Sequence, residues 1–244
     1  MSGLGDRDRY PLLPQPHPSP NSRHPSRGAH RFHARNHRRH LRATIPIDYT
    51  HLERVGRTLG SKLTQAKICR VTAPGGTDIE LSLHGREAIC DDGDLVTPGA
   101  WGNLPAGEAF IAPLESAGRG TIVFDGSLAS WGLLDEPLSI ELEQGRAVTA
   151  AGGAAAEWLL QTLEAGGANG RTIAELGIGT NPGATITGAI LEDEKAEGTV
   201  HFAFGTNTCI GGANQASVHI DGLVRDAMVE LDGRPILRDG RLLD

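Results

Sequence analysis

An α+β fold, built on a β-rich mixed or antiparallel sheet or partial barrel with a few helices, is predicted by three features of the sequence. Aromatic residues are only 4% of the 244, while Gly (33) and Pro (14) are frequent, which suits tight turns between short strands better than a helical bundle. Apolar and polar residues alternate over short runs bounded by turn dipeptides. Clear helical spacing is confined to two segments.

The first of these runs from Asp48 to about Ala66, where Leu52, Val55, Leu59 and Leu63 recur at intervals of three and four, and Asp48 or Thr50 can cap the helix. AKICRVTAP reads as a strand. GGTDIELSL reads as a turn and then a strand with Ile79, Leu81 and Leu83 on one face. GTIVF is a further strand before the Asp125-Gly126 turn, and LSIEL and RAVTA flank Glu143-Gln144-Gly145 as a hairpin. The second helix is AAAEWLLQTLEA, Ala154 to Ala165, with good helix formers throughout and glycines at both ends. Two Asp-Gly turns, Asp232-Gly233 and Asp239-Gly240, predict short closing hairpins.

Charge divides the chain unevenly. Residues 1–44 hold nine arginines against Asp6 and Asp8, a net of +7, so with −7 overall the remaining 200 residues carry −14. So acidic a body argues against nucleic acid as a partner. The first 44 residues, also rich in His and Pro, read as a disordered basic extension. Cys69, Cys90 and Cys209 form no Cys-x-x-Cys pair and suggest neither a disulfide framework nor a zinc knuckle. With no long apolar run and no secretory signal pattern, a cytoplasmic location without membrane contact is expected.

The chemistry is concentrated in the last third. Glu175, His201, His219 and Asp221 are residue types that bind divalent metals, and they lie among glycines and β-patterned runs. Residues two apart in a strand share a face, so SVHID presents His219 beside Asp221 while Val218 and Ile220 point into a core. In TVHFAFG the same rule sends Val200, Phe202 and Phe204 inward and leaves His201 with Thr199 and Ala203 on the other side. Each residue also has a plainer reading: a sheet-face histidine is commonly a hydrogen-bonded structural residue, and Glu175 could be an exposed residue before a glycine turn. The charged run around Glu192, Glu194 and Glu197 reads as a solvated turn.

The segments NLPAGEAFIAP, ELGIGTNP, DEKAEGTVHFAFG and NQASVHID, in that order, resemble the thermophilic metallopeptidase family of aminopeptidase T (leucyl aminopeptidase) type over roughly residues 70–244. The resemblance implies an aminopeptidase T-like C-terminal domain: 45–100 would be the remnant of an N-terminal α/β region and 101–244 the metal-binding catalytic domain. It further implies a cytoplasmic, homodimeric metalloprotease, a hydrolase that releases leucine-like N-terminal residues from peptide substrates. Two divalent ions (zinc, cobalt or manganese) would be held by Glu108, Glu175, His201, His219 and Asp221, with Glu108 and Glu175 as catalytic residues. Lys195, Asp193 and Asn214 are candidates for binding substrate or supporting the ligands.

The chain departs from that pattern in two ways. Where the peptidases place a tyrosine after the first metal histidine, GTNTCIGG has Thr208, and the only tyrosines are Tyr10 and Tyr49. Little more than one helix and a few strands precede the first motif. A related set similar to 2,5-dihydroxypyridine 5,6-dioxygenases implies a different use of the scaffold: a single non-haem iron(II), for which His201, His219 and Asp221 supply two histidines and a carboxylate. Retention of Glu108 and Glu175 favours two metals, and the missing tyrosine favours iron. The aminopeptidase is the expectation, with the ring-cleaving dioxygenase as its alternative and a non-catalytic metal-binding relative behind both.

Overall fold

The computed structural model describes residues 44–243, so the proposed basic extension lies almost wholly outside the described residues. In chain order the elements are α1 (Tyr49–Gln65), β1 (Ile68–Thr72), β2 (Asp78–Ser82), β3 (Ile89–Asp91), β4 (Glu108–Ile111), β5 (Arg119–Phe124), β6 (Ser127–Leu128), β7 (Gly132–Leu133), β8 (Leu138–Glu143) and β9 (Arg146–Ala151). There follow α2 (Gly153–Ala165), β10 (Ile173–Gly179), α3 (Ile190–Asp193), β11 (Val200–Gly205), β12 (His219–Val224), β13 (Met228–Leu231), β14 (Arg234–Arg238) and β15 (Arg241–Leu242). The predicted α+β class holds, with two antiparallel sheets rather than a mixed one.

One sheet has the order β15-β14-β13-β1-β2-β5-β8-β9 and the other β3-β4-β10-β11-β12-β6-β7. Both contribute to one apolar core, with Val71, Ile79, Leu81 and Ile140 from the first and Ile111, Leu176, Phe202 and Ile220 from the second. Because β1 and β2 pair with β13 and β5, the core runs continuously across the expected boundary near residue 100.

Local chemistry explains the boundaries. Asp48 caps α1 by accepting hydrogen bonds from the backbone N–H groups of Thr50 and His51, an arrangement worth about 1 kcal/mol. Leu52, Leu59 and Leu63 bury the inward stripe of this helix. The β8–β9 hairpin turns through Gln144 and Gly145, both at positive φ, which the right-handed twist of paired strands favours. Asp232-Gly233 and Asp239-Gly240 turn in the same way and close β13–β14 and β14–β15. Asp232 also accepts hydrogen bonds from the N–H groups of Lys67 and Ile68, tying its turn to the start of β1.

The second sheet carries the site because both of its faces are covered. All seven residues of β10 and all six of β11 are buried, although only one face of each strand points into the apolar core. The opposite face is covered by the chain from Asn181 to Ala196. Asn181 fixes that cover: its backbone N–H donates to the Lys195 carbonyl, and its side-chain amide donates to the carbonyls of Ala106 and Thr44.

Candidate metal centre

Strand register assembles the site. Glu175 pairs with Ala203 and Ala203 with Asp221, placing the two carboxylates in one row on either side of a small residue. In the neighbouring row Phe110, Gly177 and His201 are successive partners, and Glu108 opposes Gly179. Gly205 opposes His219. The floor beneath the polar side chains is therefore Gly177, Gly179, Ala203 and Gly205, and the space a side chain would take is filled by the His201 ring over Gly177 and by the backbone of Glu194 and Ala196 over Gly179. The alternation expected of TVHFAFG and SVHID is observed: Val200, Phe202, Phe204, Val218 and Ile220 all join the core.

The side chains converge. His201 Nε2 lies 3.3 Å from Glu175 Oε1 and 3.4 Å from Glu108 Oε2, and His219 Nε2 lies 3.3 Å from Glu175 Oε2 and 3.5 Å from Asp221 Oδ1. His219 Nδ1 is 2.7 Å from the Thr206 carbonyl, to which it can only donate, so in the neutral ring Nε2 keeps a lone pair for an ion. Potential ligand atoms fall within 4.8 Å of one another in three overlapping groups: Glu108–Glu175–His201, Glu175–His219–Asp221 and Glu194–His201–Asp221. All five residues expected from the sequence thus meet in one cluster.

Glu194 is the residue that sequence reasoning missed. The expected solvated turn is not one: Glu192, Glu194 and Lys195 are buried, and only Glu197 is exposed. Its carboxylate belongs to the cage because the turn after α3 folds down over the sheet. The single signal available was the lysine beside it, since a buried acid needs a partner. Asp193 is also fully enclosed, accepting hydrogen bonds from the N–H groups of Thr187 and Gly188 and so shaping the preceding loop. Asn214 uses its amide on the carbonyls of Gly205 and Asn169, and its N–H donates to Asn207 Oδ1. It braces the loop between β11 and β12.

Charge makes the cage a fitting site for a cation. Four carboxyl groups, Glu108, Glu175, Glu194 and Asp221, meet the two imidazoles and one ammonium, that of Lys195. Glu108 Oε2 and His201 Nδ1 are buried without a hydrogen-bond partner. Buried anionic oxygen left unpaired is costly, and an oxygen- and nitrogen-seeking divalent ion would satisfy it.

The ionisation equilibria follow. Burial pushes the Glu108 carboxyl up, to about 8, against the pull of Lys195. Burial would raise Glu175 as well, but hydrogen bonds from His201 and His219 hold it well below the usual carboxylate range. For His201 burial acts downward, and the bond to Glu175 with the charges of Glu108 and Glu194 overrides it, lifting the imidazole to about 9. His219 is raised likewise, by Asp221 and Glu175.

All three raised groups, Glu108, His201 and His219, bind protons more tightly in the folded state. The His201 contribution to stability is complete below its unfolded value of about 6.5 and is lost as pH rises through about 9. Glu108 acts in the same sense up to about 8. Metal-free protein should therefore lose on the order of 5 °C in Tm between about pH 6.5 and 9.5. A saturating divalent ion, by replacing those protons, should flatten the decline. Differential scanning fluorimetry with and without chelator checks both.

Comparison with known proteins bears on the two uses considered for this cage. Residues 23–244 match the family model described as 2,5-dihydroxypyridine 5,6-dioxygenase (NicX). The match begins within the segment expected to be an extension. A 2,5-dihydroxypyridine 5,6-dioxygenase of Pseudomonas putida is 27% identical over 191 residues, covering 73% of this chain and 55% of the relative, so the chain spans about half that protein's length. Among solved structures, the 2,5-dihydroxypyridine dioxygenase of Pseudomonas putida superposes with a TM-score of 0.76 at 24% identity, over 84% of this chain and 62% of that one. Wild-type AmpT from Thermus thermophilus superposes with a TM-score of 0.68 at 24% identity, over 82% and 56%.

These findings correct the expected activity. The likeness to aminopeptidase T is one of fold, and the hydrolase, aminopeptidase and protease readings give way to the dioxygenase family. The residues carry a physical reason. Thr208, near the position where the peptidases place a tyrosine hydroxyl, sits exposed in a 3-10 turn, Thr208–Ile210, and a threonine cannot reach as a tyrosine does. No described helix is long and apolar enough to cross a membrane.

Proposed function

We propose, from the premise that the chain belongs to the 2,5-dihydroxypyridine 5,6-dioxygenase family, that it serves a non-haem iron(II) oxygenase that opens the ring of a dihydroxylated pyridine. The observation that supports the reading is the family match across residues 23–244, which favours one use of a donor set compatible with several. Two imidazoles and a carboxylate, His201, His219 and Asp221, are the donor types of such iron sites. Iron(II), when bound, supplies the redox chemistry by which dioxygen and an electron-rich ring combine.

The chain's own residues set the conditions. Thr206 fixes the His219 tautomer through its carbonyl. Glu175 spans the two imidazoles with one oxygen toward each and keeps both rings turned inward. Side-chain exposure increases from 4% at Glu108 through 9% at Glu175 to 14% at Asp221 and 26% at His219, so a ring enters from the His219–Asp221 side. His201, almost fully enclosed, keeps water from the deep end.

Protein reconstituted anaerobically should hold about one iron(II) per chain and consume oxygen on addition of 2,5-dihydroxypyridine, with loss of the ring's ultraviolet absorbance. Iron-loaded protein that consumes no oxygen with any dihydroxypyridine would sink the proposal.

A further inference from the structure

Lys195 is the most enclosed charged residue of the centre, with no exposed side-chain surface. An ammonium in such a place must be matched by fixed anions. Its Nζ donates to Glu108 Oε1 at 2.6 Å and to Glu194 Oε1 at 2.5 Å, joining strand β4 to the turn after α3 across 87 residues of sequence. Lying at the closed end of the exposure gradient, it does not meet an entering ring. Its action falls on the carboxylates.

The consequence is clearest at Glu108. One oxygen, Oε1, is engaged by the ammonium. The other, Oε2, has no hydrogen-bond partner and lies 3.4 Å from His201 Nε2. The carboxylate is thus divided into an occupied oxygen and a spare one that faces the cage. An ion approaching Oε1 would share that oxygen with a second positive charge, whereas approach to Oε2 brings it toward His201 and away from Lys195.

We propose that Lys195 is a positioning residue that withholds Oε1 of Glu108 from the bound ion, so that Glu108 binds through one oxygen and a coordination position stays open on the His219–Asp221 side. This rests on the reading of the site as a metal centre. A lysine that merely neutralised buried acids would affect stability alone. One that limits denticity also controls whether an external ligand can reach the ion.

The test uses the full chain loaded with Co(II), whose visible bands report coordination number, and azide as the external ligand. The unmodified protein should take up Co(II), and azide should shift its bands. Lys195→Met fills a similar volume without a donor and frees Oε1. Its bands should weaken, as a higher coordination number requires, and the azide shift should disappear. Lys195→Arg keeps a cationic donor for Glu108 Oε1, so its azide shift should persist. Lys195→Met with the unmodified spectrum and azide response would overturn the inference while leaving the metal reading intact. Failure of the unmodified chain to bind Co(II) would overturn both. If Lys195→Met does not melt cooperatively, Lys195→Arg decides, and loss of its azide shift counts against the proposal.

Discussion

Replacing His219 with alanine is expected to empty the centre while sparing the fold. His219 faces Glu175 and Asp221 through Nε2, and its other nitrogen binds a backbone carbonyl, so alanine removes a donor atom and its orienting bond together. Changes to residues that only support a ligand cost about 10–100-fold in affinity or activity, so loss of the ligand should lower oxygen uptake by more than about 100-fold. The ring is partly exposed and makes one bond to the backbone, so the stability cost should be about 1 kcal/mol. Metal analysis, oxygen uptake and a thermal melt on the same sample separate the two effects. Full iron content in His219→Ala would remove this residue from the ligand set.

The second large effect is expected at a residue with no functional group. Gly177 is paired with His201 across β10 and β11, and a Cβ at this position would lie 2.1 Å from both Cε1 and Nε2 of the imidazole. The strand cannot move aside because all of β10 is buried. Gly177→Ala should therefore drive His201 away from Glu108 and Glu175, abolish iron binding and cost about 3 kcal/mol by overpacking. Gly56→Ala is the contrasting case. Gly56 is in the middle of α1, and the nearest atom to an added Cβ is Cys90 Cβ at 3.8 Å, an ordinary contact. Alanine there should raise stability by up to about 1 kcal/mol. Urea denaturation of the two variants checks the opposite signs, and a stable, iron-replete Gly177→Ala would show that His201 has another way to sit.

Much of this architecture is legible in the sequence wherever local chemistry decides it. Asp48 caps its helix, the Asp-Gly pairs turn their hairpins, and the alternation in TVHFAFG and SVHID separates core residues from His201, His219 and Asp221. Cross-strand register is not local: nothing in the spacing says that Ala203 stands between Glu175 and Asp221. Nor does it say that Gly177 must be small because His201 lies against it.

The segment from Glu192 to Lys195 is misleading for the same reason. Glu192 and Glu194, beside the candidates Asp193 and Lys195, read as a solvated turn until the fold lays them over the sheet, where Lys195 joins Glu108 and Glu194. The reaction was the least legible part. Carboxylates and imidazoles in this arrangement suit hydrolysis and oxygenation alike, and the threonine in place of a tyrosine was the one local sign that pointed away from a peptidase.

The pairing of β10, β11 and β12 also gives the centre an all-or-none character. A slip of β11 by one residue would turn His201 toward the core and Phe202 toward the cage. A chain misregistered in this way would be deprived of a donor and burdened with a phenyl ring where the ion belongs. Occupancy by the proposed ion would therefore act as an assay of assembly, and the fraction of chains that retain it through gel filtration would count those whose strands have aligned correctly.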